Sequence, residues 1–420
     1  MRILPMSETP SVSSKTWLTI IGLGEDGPAG LGDEARTLIS DAPVVFGGAR
    51  HLQLVSAFLK GEGHSWLSPI ERSIDIILAR RGTPTVVLAS GDPFFYGIGA
   101  TLVRFVEPGE MNVFPAPSAF SLAASRLGWP LQDVATMSLH GRPLDLIRPY
   151  LHDGRKILAL TSDGEGPAQL ARLLDEAGFG LSRLTVLEAL GGPRERLSAQ
   201  TAHELSLIDV DPLNVCAIDV VAGDRARIQS FAAGLPDALF EHDGQITKRE
   251  IRALTLSALA PRHGELLWDI GAGSGSIGIE WMLAHPSMRA IAVEASKDRT
   301  ERIRRNAGNF GVPGLVIVEG EAPAALAALQ TPDAIFIGGG GSDPGVVDAA
   351  ISALRAGGRL IANAVTTEME AILLAEQARR GGSLTRIDIA RAAPVGTMTG
   401  WRPAMPVTQW FWVKPLEQRG

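Results

Sequence analysis

The sequence predicts an α/β protein made of three successive runs. Three observations point there. From Trp17 onward, short apolar stretches alternate with longer segments of helical period. Glycine-rich turns fall where apolar stretches end. The alternation restarts near Pro117 and again after residues 224–246. The chain has 420 residues, and at about 100–200 residues per domain that is two or three domains.

The first run reads as strands at Leu18–Leu23, Pro43–Phe46, Thr85–Ala89 and Met111–Phe114. Helices are expected near Asp33–Ser40, Ala49–Leu59 and Ser68–Arg81. The second opens with a helix at Ser118–Leu127, followed by strands at Val134–Leu139, Lys156–Leu160, Arg183–Leu190 and Asn214–Val221. Helical patterns lie at Pro143–Leu151, Gly166–Ala177 and Ala202–Leu207. Apolar strands then stop, and Asp237, Glu241, His242, Asp243 and Gly244 cluster, which places a domain boundary near residue 232.

In the third run Thr247–Ala260 is a helix, and Thr247 with Glu250 has capping-box spacing. Strands follow at Leu266–Ile270, Ala290–Val293, Leu315–Val318, Ala334–Ile337 and Arg359–Ala362, with helical patterns between. Leu384–Ala390 and Pro406–Val413 have little helix between them. They are expected to form an antiparallel hairpin at one sheet edge. The organisation is therefore a tail at 1–16, a first domain at 17–232 with subdomains about 17–116 and 117–232, and a second domain at 233–420.

Composition narrows the function. Hydrophobic residues are 45% and charged residues 20%, an ordinary globular balance. The net charge of −7 attracts no nucleic acid globally, although a local basic patch is compatible with it. One cysteine, Cys216, excludes an internal disulfide framework and any multi-cysteine metal site. It sits in an apolar run and reads as a buried strand residue in a reducing, cytoplasmic protein. No run approaches the apolar length of a membrane span, and residues 1–16 lack the apolar core of a signal peptide. The eight histidines show no metal-ligand spacing, so no metal is expected.

Trp268-Asp269-Ile270-Gly271-Ala272-Gly273-Ser274-Gly275 ends an apolar strand and opens a helix. Glycines there allow a tight turn and close approach of the backbone to a ligand at a helix N-terminus. Alone, the motif reads two ways, since Gly273–Gly278 also spells G-x-G-x-x-G. Context favours one of them. Glu294 ends the next strand, where an acid accepts hydrogen bonds from ribose hydroxyls. A third strand ends in Glu319-Gly320-Glu321-Ala322 and a fourth in Gly338–Gly341. The terminal hairpin is foreign to the usual dinucleotide fold. The set is similar to the Rossmann-like seven-strand S-adenosylmethionine (SAM) methyltransferase fold.

In the N-terminal half, four strand-end turns stand out. They are Ile21-Gly22-Leu23-Gly24, Ser90–Gly97, Pro115–Ala119 and Leu139-His140-Gly141-Arg142. Open α/β sheets bind ligands at such ends. Asp92, which precedes a proline, also suits anchoring its own loop, and His140 alone reads more readily as a loop histidine.

These motifs carry a resemblance. The Ser90–Gly97 loop, the Pro115–Ala119 turn and the two consecutive α/β units resemble the tetrapyrrole (corrin and porphyrin) methyltransferases, whose SAM lies between two subdomains. Asp243–Lys248, Gly271–Gly275, Glu319–Pro323 and Gly338–Gly341 resemble the small C15-methylating, decarboxylating methyltransferases of cobalamin synthesis. The two in this order are similar to the fused, decarboxylating C5- and C15-methylating enzymes of the aerobic cobalamin pathway, over about residues 17–415.

The resemblance implies SAM contacts at Gly91, Asp92, Phe95, Ser118, Ala119 and Thr161 in the first module. In the second it implies Thr247, Gly271, Ala272, Gly273, Ser274, Gly275, Glu294 and Ala322. It implies two SAM sites, one per module, and a homo-oligomer. It further implies a reaction taking precorrin-6Y (precorrin-6B) to precorrin-8X, with methylation at C5 and C15 and loss of the ring C acetate carboxyl. One departure stands out: Glu25 and Asp26 replace the small Pro-Gly pair that many relatives carry after the first strand, so no role transfers to them. Such a substrate carries several carboxylates, so arginines are expected to line its pocket. Arg249, Arg391 and Arg402 are candidates because they flank loops of the second module. No catalytic side chain is assigned, because a sulfonium donor needs mainly proximity and alignment. Two rivals remain at this stage: an RNA methyltransferase, against which the net acidity speaks, and a SAM-binding scaffold with one inactive module.

Overall fold

The computed structural model describes residues 16–416. They fall into two compact units. Unit 1 holds residues up to Arg142 together with His152–Ala226; unit 2 holds Pro143–Leu151 and the chain from Arg227 onward. The expected tail lies outside the described residues except for Thr16.

Unit 1 contains two sheets. The first is built from β1 (Leu18–Leu23), α1 (Asp33–Asp41), β2 (Val44–Gly47), α2 (Ala49–Val55), β3 (Glu62–Ser65), α3 (Glu71–Leu78), β4 (Thr85–Ser90), α4 (Gly99–Leu102) and β5 (Met111–Phe114). Its strands are all parallel, in the order β3-β2-β4-β1-β5. A parallel strand is covered on both faces, which is why β1 and β4 read as continuous apolar runs. Ile20, Phe46 and Val87 pack on one face, and Ile21, Val45 and Leu88 on the other.

The second sheet follows α5 (Ala119–Leu127). It comprises β6 (Val134–Ser138), β7 (Lys156–Leu160), α6 (Gly166–Glu176), β8 (Arg183–Glu188), β9 (Arg196–Thr201) and β10 (Asn214–Asp219). The order is β6-β7-β10-β8-β9, with only β6 and β7 parallel. Cys216, fully buried on β10, is the core residue expected of it. The segment Ala202–Leu207, expected to be a helix, is a turn instead. The Ala202 and His203 amides donate to the Ser182 and Gly180 carbonyls at 2.9 Å, so its backbone is committed to the loop before β8. Leu144–Tyr150 is a 3₁₀ helix that contains Pro149, whose missing N–H prevents an α-helical ladder.

Unit 2 is one doubly wound sheet. Its elements are α7 (Arg249–Leu259), β11 (Leu266–Ile270), α8 (Ser276–Leu283), β12 (Arg289–Glu294), α9 (Lys297–Asn309), β13 (Val316–Glu319), β14 (Ala334–Ile337) and α10 (Val346–Ala353). They continue as β15 (Arg359–Ala364), α11 (Thr367–Arg380), β16 (Ser383–Ile387), β17 (Ala390–Val395), β18 (Met398–Pro403) and β19 (Val407–Val413). The order is β13-β12-β11-β14-β15-β19-β16. The first five strands are parallel, and β19 runs antiparallel to both neighbours. The expected terminal hairpin is thus β16 with β19, and β16 forms the edge. A separate exposed hairpin, β17–β18, is inserted between them. The capping box at Thr247 does not form. Lys248 is the N-cap, no side chain caps the helix, and the Thr247 carbonyl is taken by Arg252.

Candidate functional site

Each unit has a cleft at the carboxyl ends of its parallel strands, where connecting loops leave backbone N–H groups exposed to a ligand.

In unit 2 the cleft is about 520 Å³. It is lined by Gly244–Lys248, Gly271–Gly273, Glu294, Gly320–Ala322 and Gly338–Gly340, which are the turns after β11, β12, β13 and β14 plus the segment leading into α7. The first glycine turn has left-handed backbone at Gly271 and Gly273 (φ 68° and 59°). A Cβ on Gly271 would collide with the Gly339 carbonyl, so this turn requires glycine. Glu294 is 6% exposed. Its Oε2 accepts from the Gly273 amide at 2.9 Å and its Oε1 from the Ser296 amide at 3.0 Å. The carboxylate is thereby oriented, with about half of its lone-pair sites left for other donors.

Beneath this turn lies Asp269. Its Oδ2 accepts from the Gly278 amide at 2.9 Å, while Oδ1 is buried without a partner, as is Ser274 Oγ. Burial, opposed by the Gly278 N–H and reinforced by the Glu294 charge, lifts Asp269 to about 7. At the rim, Asp243 is held well below the ordinary carboxylate range by Arg299, the Gln245 amide and Arg302. That pins the Gly244–Lys248 segment to α9.

The cleft brings together Thr247, Gly271, Ala272, Gly273, Glu294 and Ala322. Ser274 and Gly275 lie behind the lining, at the start of α8. Of the three arginines, Arg391 lines the cleft and pairs with Glu250. Arg249 is exposed at the start of α7, and Arg402 donates within its own hairpin to the Pro394 carbonyl at 3.5 Å. The structure adds Asn363, Ile389 and Met405 to the cleft wall. These come from β15 and the β16–β19 region, and no local motif marks them.

Unit 1 has a cleft of about 380 Å³ between its two sheets. Gly91, Phe95, Ser118, Ala119 and Thr161 line it. Gly91 has φ 56°, and a Cβ there would sit 2.9 Å from the Pro117 carbonyl oxygen. Ser118 caps α5 by accepting from the Ser121 amide at 3.1 Å. Thr161 donates to Asn214 at 2.6 Å, which ties the ends of β7 and β10 together. Asp92 is not part of the lining; its Oδ1 accepts from the Phe94 amide at 2.8 Å and so shapes the loop. His140 does line the cleft, with Nδ1 3.3 Å from the Thr161 carbonyl. Ser90, which opens the Ser90–Gly97 loop singled out in the sequence, is also in the wall, together with Arg50 and His51, which sequence reasoning missed. Glu25, the departure noted above, pairs with Arg50 and with Arg194, which itself pairs with Asp211. It thus links the loop after β1 to the loops flanking β9.

Comparison with known proteins follows the same division. Residues 17–206 match the family of tetrapyrrole (corrin/porphyrin) methylases, and residues 238–414 match the precorrin methyltransferase domain. A precorrin-6Y C(5,15)-methyltransferase (decarboxylating) from a Sinorhizobium species is 68% identical over 95% of this chain and 96% of its own length. One from Mycobacterium tuberculosis is 42% identical over 94% of this chain and 98% of its own. The solved C-terminal domain of a precorrin-6Y C5,15-methyltransferase from Rhodobacter capsulatus is 51% identical. It covers 44% of this chain and 100% of its own, with a TM-score of 0.43. The chain belongs to the family of decarboxylating precorrin-6Y C(5,15)-methyltransferases.

Proposed function

We propose that this chain is a bifunctional SAM-dependent methyltransferase of cobalamin biosynthesis. It methylates C5 and C15 of precorrin-6Y and decarboxylates the ring C acetate, giving precorrin-8X. Unit 2 acts at C15 and on the acetate, and unit 1 acts at C5. The observation that carries this reading is one strand-end cleft per unit in a chain that aligns with such an enzyme over nearly its whole length.

The residues fit two SAM sites. In unit 2, Gly271 and Gly273 hold the backbone where side chains are excluded, and the fixed Glu294 carboxylate has acceptor capacity for two ribose hydroxyls. Ser274 Oγ and Asp269 Oδ1 are buried beneath the same turn, behind the lining, so these two residues support the turn from below. In unit 1, Gly91, Ser118 and Ala119 bring two strand-end turns together over Thr161. We take the modules as 17–232 and 233–420, and Asp92 and Gly275 as residues that shape their loops rather than touch the ligand.

SAM supplies the methyl group as an activated sulfonium, so the protein's task is alignment. Rigid glycine turns, and in unit 1 the Ser118-capped start of α5, fix one reactant. The far wall of the unit 2 cleft, Asn363, Ile389, Met405 and Arg391, is a mixed polar and apolar surface suited to a macrocycle with carboxylate arms. Arg391 offers a carboxylate a planar, bidentate donor. Decarboxylation needs an electron sink, which the conjugated macrocycle nitrogens provide. The protein holds the carboxyl so that the breaking bond overlaps that system.

We also read the chain as a cytoplasmic homo-oligomer. The single, buried Cys216, with no second cysteine to pair with, supports a reducing compartment. Among the described residues no helix is long and apolar enough to cross a membrane. Exposed Val395, Met398 and Trp401 on the β17–β18 hairpin support self-association.

Incubation of the purified chain with SAM and the precorrin substrate should add two methyls and release one carbon dioxide. Unchanged substrate mass with SAM bound would sink the substrate assignment. Gly273→Arg should abolish C15 methylation while calorimetry still records SAM binding by unit 1. Loss of both sites would mean the modules do not work independently.

A further inference from the structure

We propose that Ser90 and His51 form a proton relay in the unit 1 cleft, taking up the hydrogen that C5 loses when it is methylated. This rests on the reading that unit 1 is the C5-methyltransferase.

The chemistry requires an acceptor. Methylation replaces C–H by C–CH₃. The electron pair of the new bond comes from the π system at the bridge carbon. The C–S⁺ bond breaks with its pair returning to sulfur, leaving a neutral thioether and the positive charge on the macrocycle. The macrocycle regains its conjugation when the C5–H pair returns to the ring and the proton departs. That proton is acidified by the adjacent cation, so a weak base suffices.

His51 Nε2 lies 3.0 Å from Ser90 Oγ and 2.9 Å from an Arg50 guanidinium nitrogen. Arginine only donates, so Nε2 is the bare nitrogen and Nδ1 carries the hydrogen. Ser90 Oγ therefore donates to Nε2. The same Arg50 nitrogen donates to Ser90 Oγ at 3.2 Å, and Glu25 holds Arg50 from the other side. His51 is 7% exposed, and its Nδ1 has no partner. Burial first, and Arg50 second, bring His51 to about 4. The ring is therefore neutral and able to accept at physiological pH, and Arg50 ensures that the proton is soon passed on. Among the other titratable groups of this cleft, Glu25 is committed to Arg50 and Arg194, Tyr96 donates to the Thr136 carbonyl at 3.3 Å, and His140 sits just past the end of β6, with Nδ1 3.3 Å from the Thr161 carbonyl.

In the relay, Ser90 Oγ takes the C5 proton while its own proton passes to His51 Nε2. The resulting imidazolium returns the proton from Nε2 through Ser90 Oγ, which is exposed, to water in the cleft, restoring the Nδ1–H tautomer. Ser90, in the cleft wall, is the catalytic residue, and His51 acts through it. The Ser90–His51 bond joins the first turn of α2 to the end of β4, the strand whose loop carries Gly91.

The test uses the full chain with SAM and the C15-methylated, decarboxylated precorrin. His51→Gln keeps a side chain able to accept from Ser90 but unable to take up its proton. C5 methylation should fall about 10²-fold or more, as for loss of a general base. Ser90→Ala should fall comparably, and C15 methylation by unit 2, read separately on the precorrin not yet methylated at C15, should stay unchanged in both variants. External imidazole should restore part of the rate to His51→Gly but not to Ser90→Ala. Nitrogen-15 NMR of labelled histidines should find His51 as the neutral Nδ1–H tautomer at pH 7, with its Nε2 signal shifted in Ser90→Ala. C5 methylation by His51→Gln or Ser90→Ala at the wild-type rate, or an Nε2–H tautomer, overturns the relay. A wild-type chain that never methylates C5 overturns the underlying reading instead.

Discussion

Arg252 donates to Glu280 at 2.5 Å inside unit 2, with side-chain exposures of 0% and 2%. Glu280 also accepts from the Gly234 and Leu235 amides at 2.6 and 3.0 Å. Arg252 reaches the Leu235 and Thr247 carbonyls and Asp237. The pair pins the segment before α7, which ends in the cleft residues Gly244–Lys248, onto α7 and α8. Removing one member leaves a buried charge without compensation, which costs about 3–5 kcal/mol. Glu280→Ala should therefore lower the urea midpoint of the unit 2 transition sharply. The double change Arg252→Met, Glu280→Leu should cost clearly less than Glu280→Ala alone.

The parallel cores and the glycine turns were legible because both are local signals. β1, β4, β11 and β14 are continuous apolar runs, and the strand-end turns place Glu294 and Gly273 in one cleft. The misses share a cause. β3 (Glu62–Ser65) is an edge strand with all four residues exposed, so it has no apolar pattern. β9, also at an edge, alternates weakly. The capping-box spacing at Thr247 was overridden when a tertiary partner, Arg252, claimed the Thr247 carbonyl. Arg50, His51 and Asn363 reach their clefts through strand order, which no spacing in the chain encodes.

Glu294→Ala should weaken SAM binding at unit 2. Hydrogen bonds to a charged group contribute about 1.5–3 kcal/mol, which corresponds to about 10- to 150-fold in affinity. Glu294→Gln should lose less, since its amide oxygen still accepts. Calorimetry on the full chain separates the effect, because the unit 1 isotherm should not move.

Asp269 gives unit 2 a pH dependence of a particular sign. Its folded-state value of about 7 lies above the ordinary value of about 3.9. Below about pH 3.9 both states are protonated, and the group contributes nothing. As pH rises, the unfolded chain releases the proton first, and unit 2 loses about 1.4 kcal/mol per pH unit until the folded carboxyl also ionises. Asp269→Asn should remove that contribution. Urea midpoints of the unit 2 transition at pH 5 and pH 8 should differ less in the variant than in the wild type. Equal pH slopes in the two proteins would show that Asp269 titrates normally.

Cys216 is fully buried in the centre of the second unit 1 sheet, and burial pushes its thiol up. It should not react with a thiol reagent in the native chain and should react stoichiometrically in urea. Because the barrier is burial, the reaction rate at low urea reports the opening of unit 1 and should be indifferent to Glu280→Ala in unit 2.

Arg391 faces a choice of partners. It lines the unit 2 cleft and is held by Glu250, with both side chains nearly half exposed at 47% and 44%. An exposed pair of this kind contributes about 0–1 kcal/mol, so a bidentate carboxylate arriving in a closed cleft displaces Glu250 at little cost. If Arg391 binds a substrate carboxylate, Arg391→Met should raise KM for C15 methylation, with a smaller effect on kcat, because the contact is present in ground and transition states alike. Glu250→Gln removes the competitor and should lower KM by no more than about fivefold, the equivalent of the pair's energy. The two variants must move KM in opposite directions while leaving C5 methylation by unit 1 unchanged. A shift in the same direction would assign the pair a structural role in holding β17 against α7.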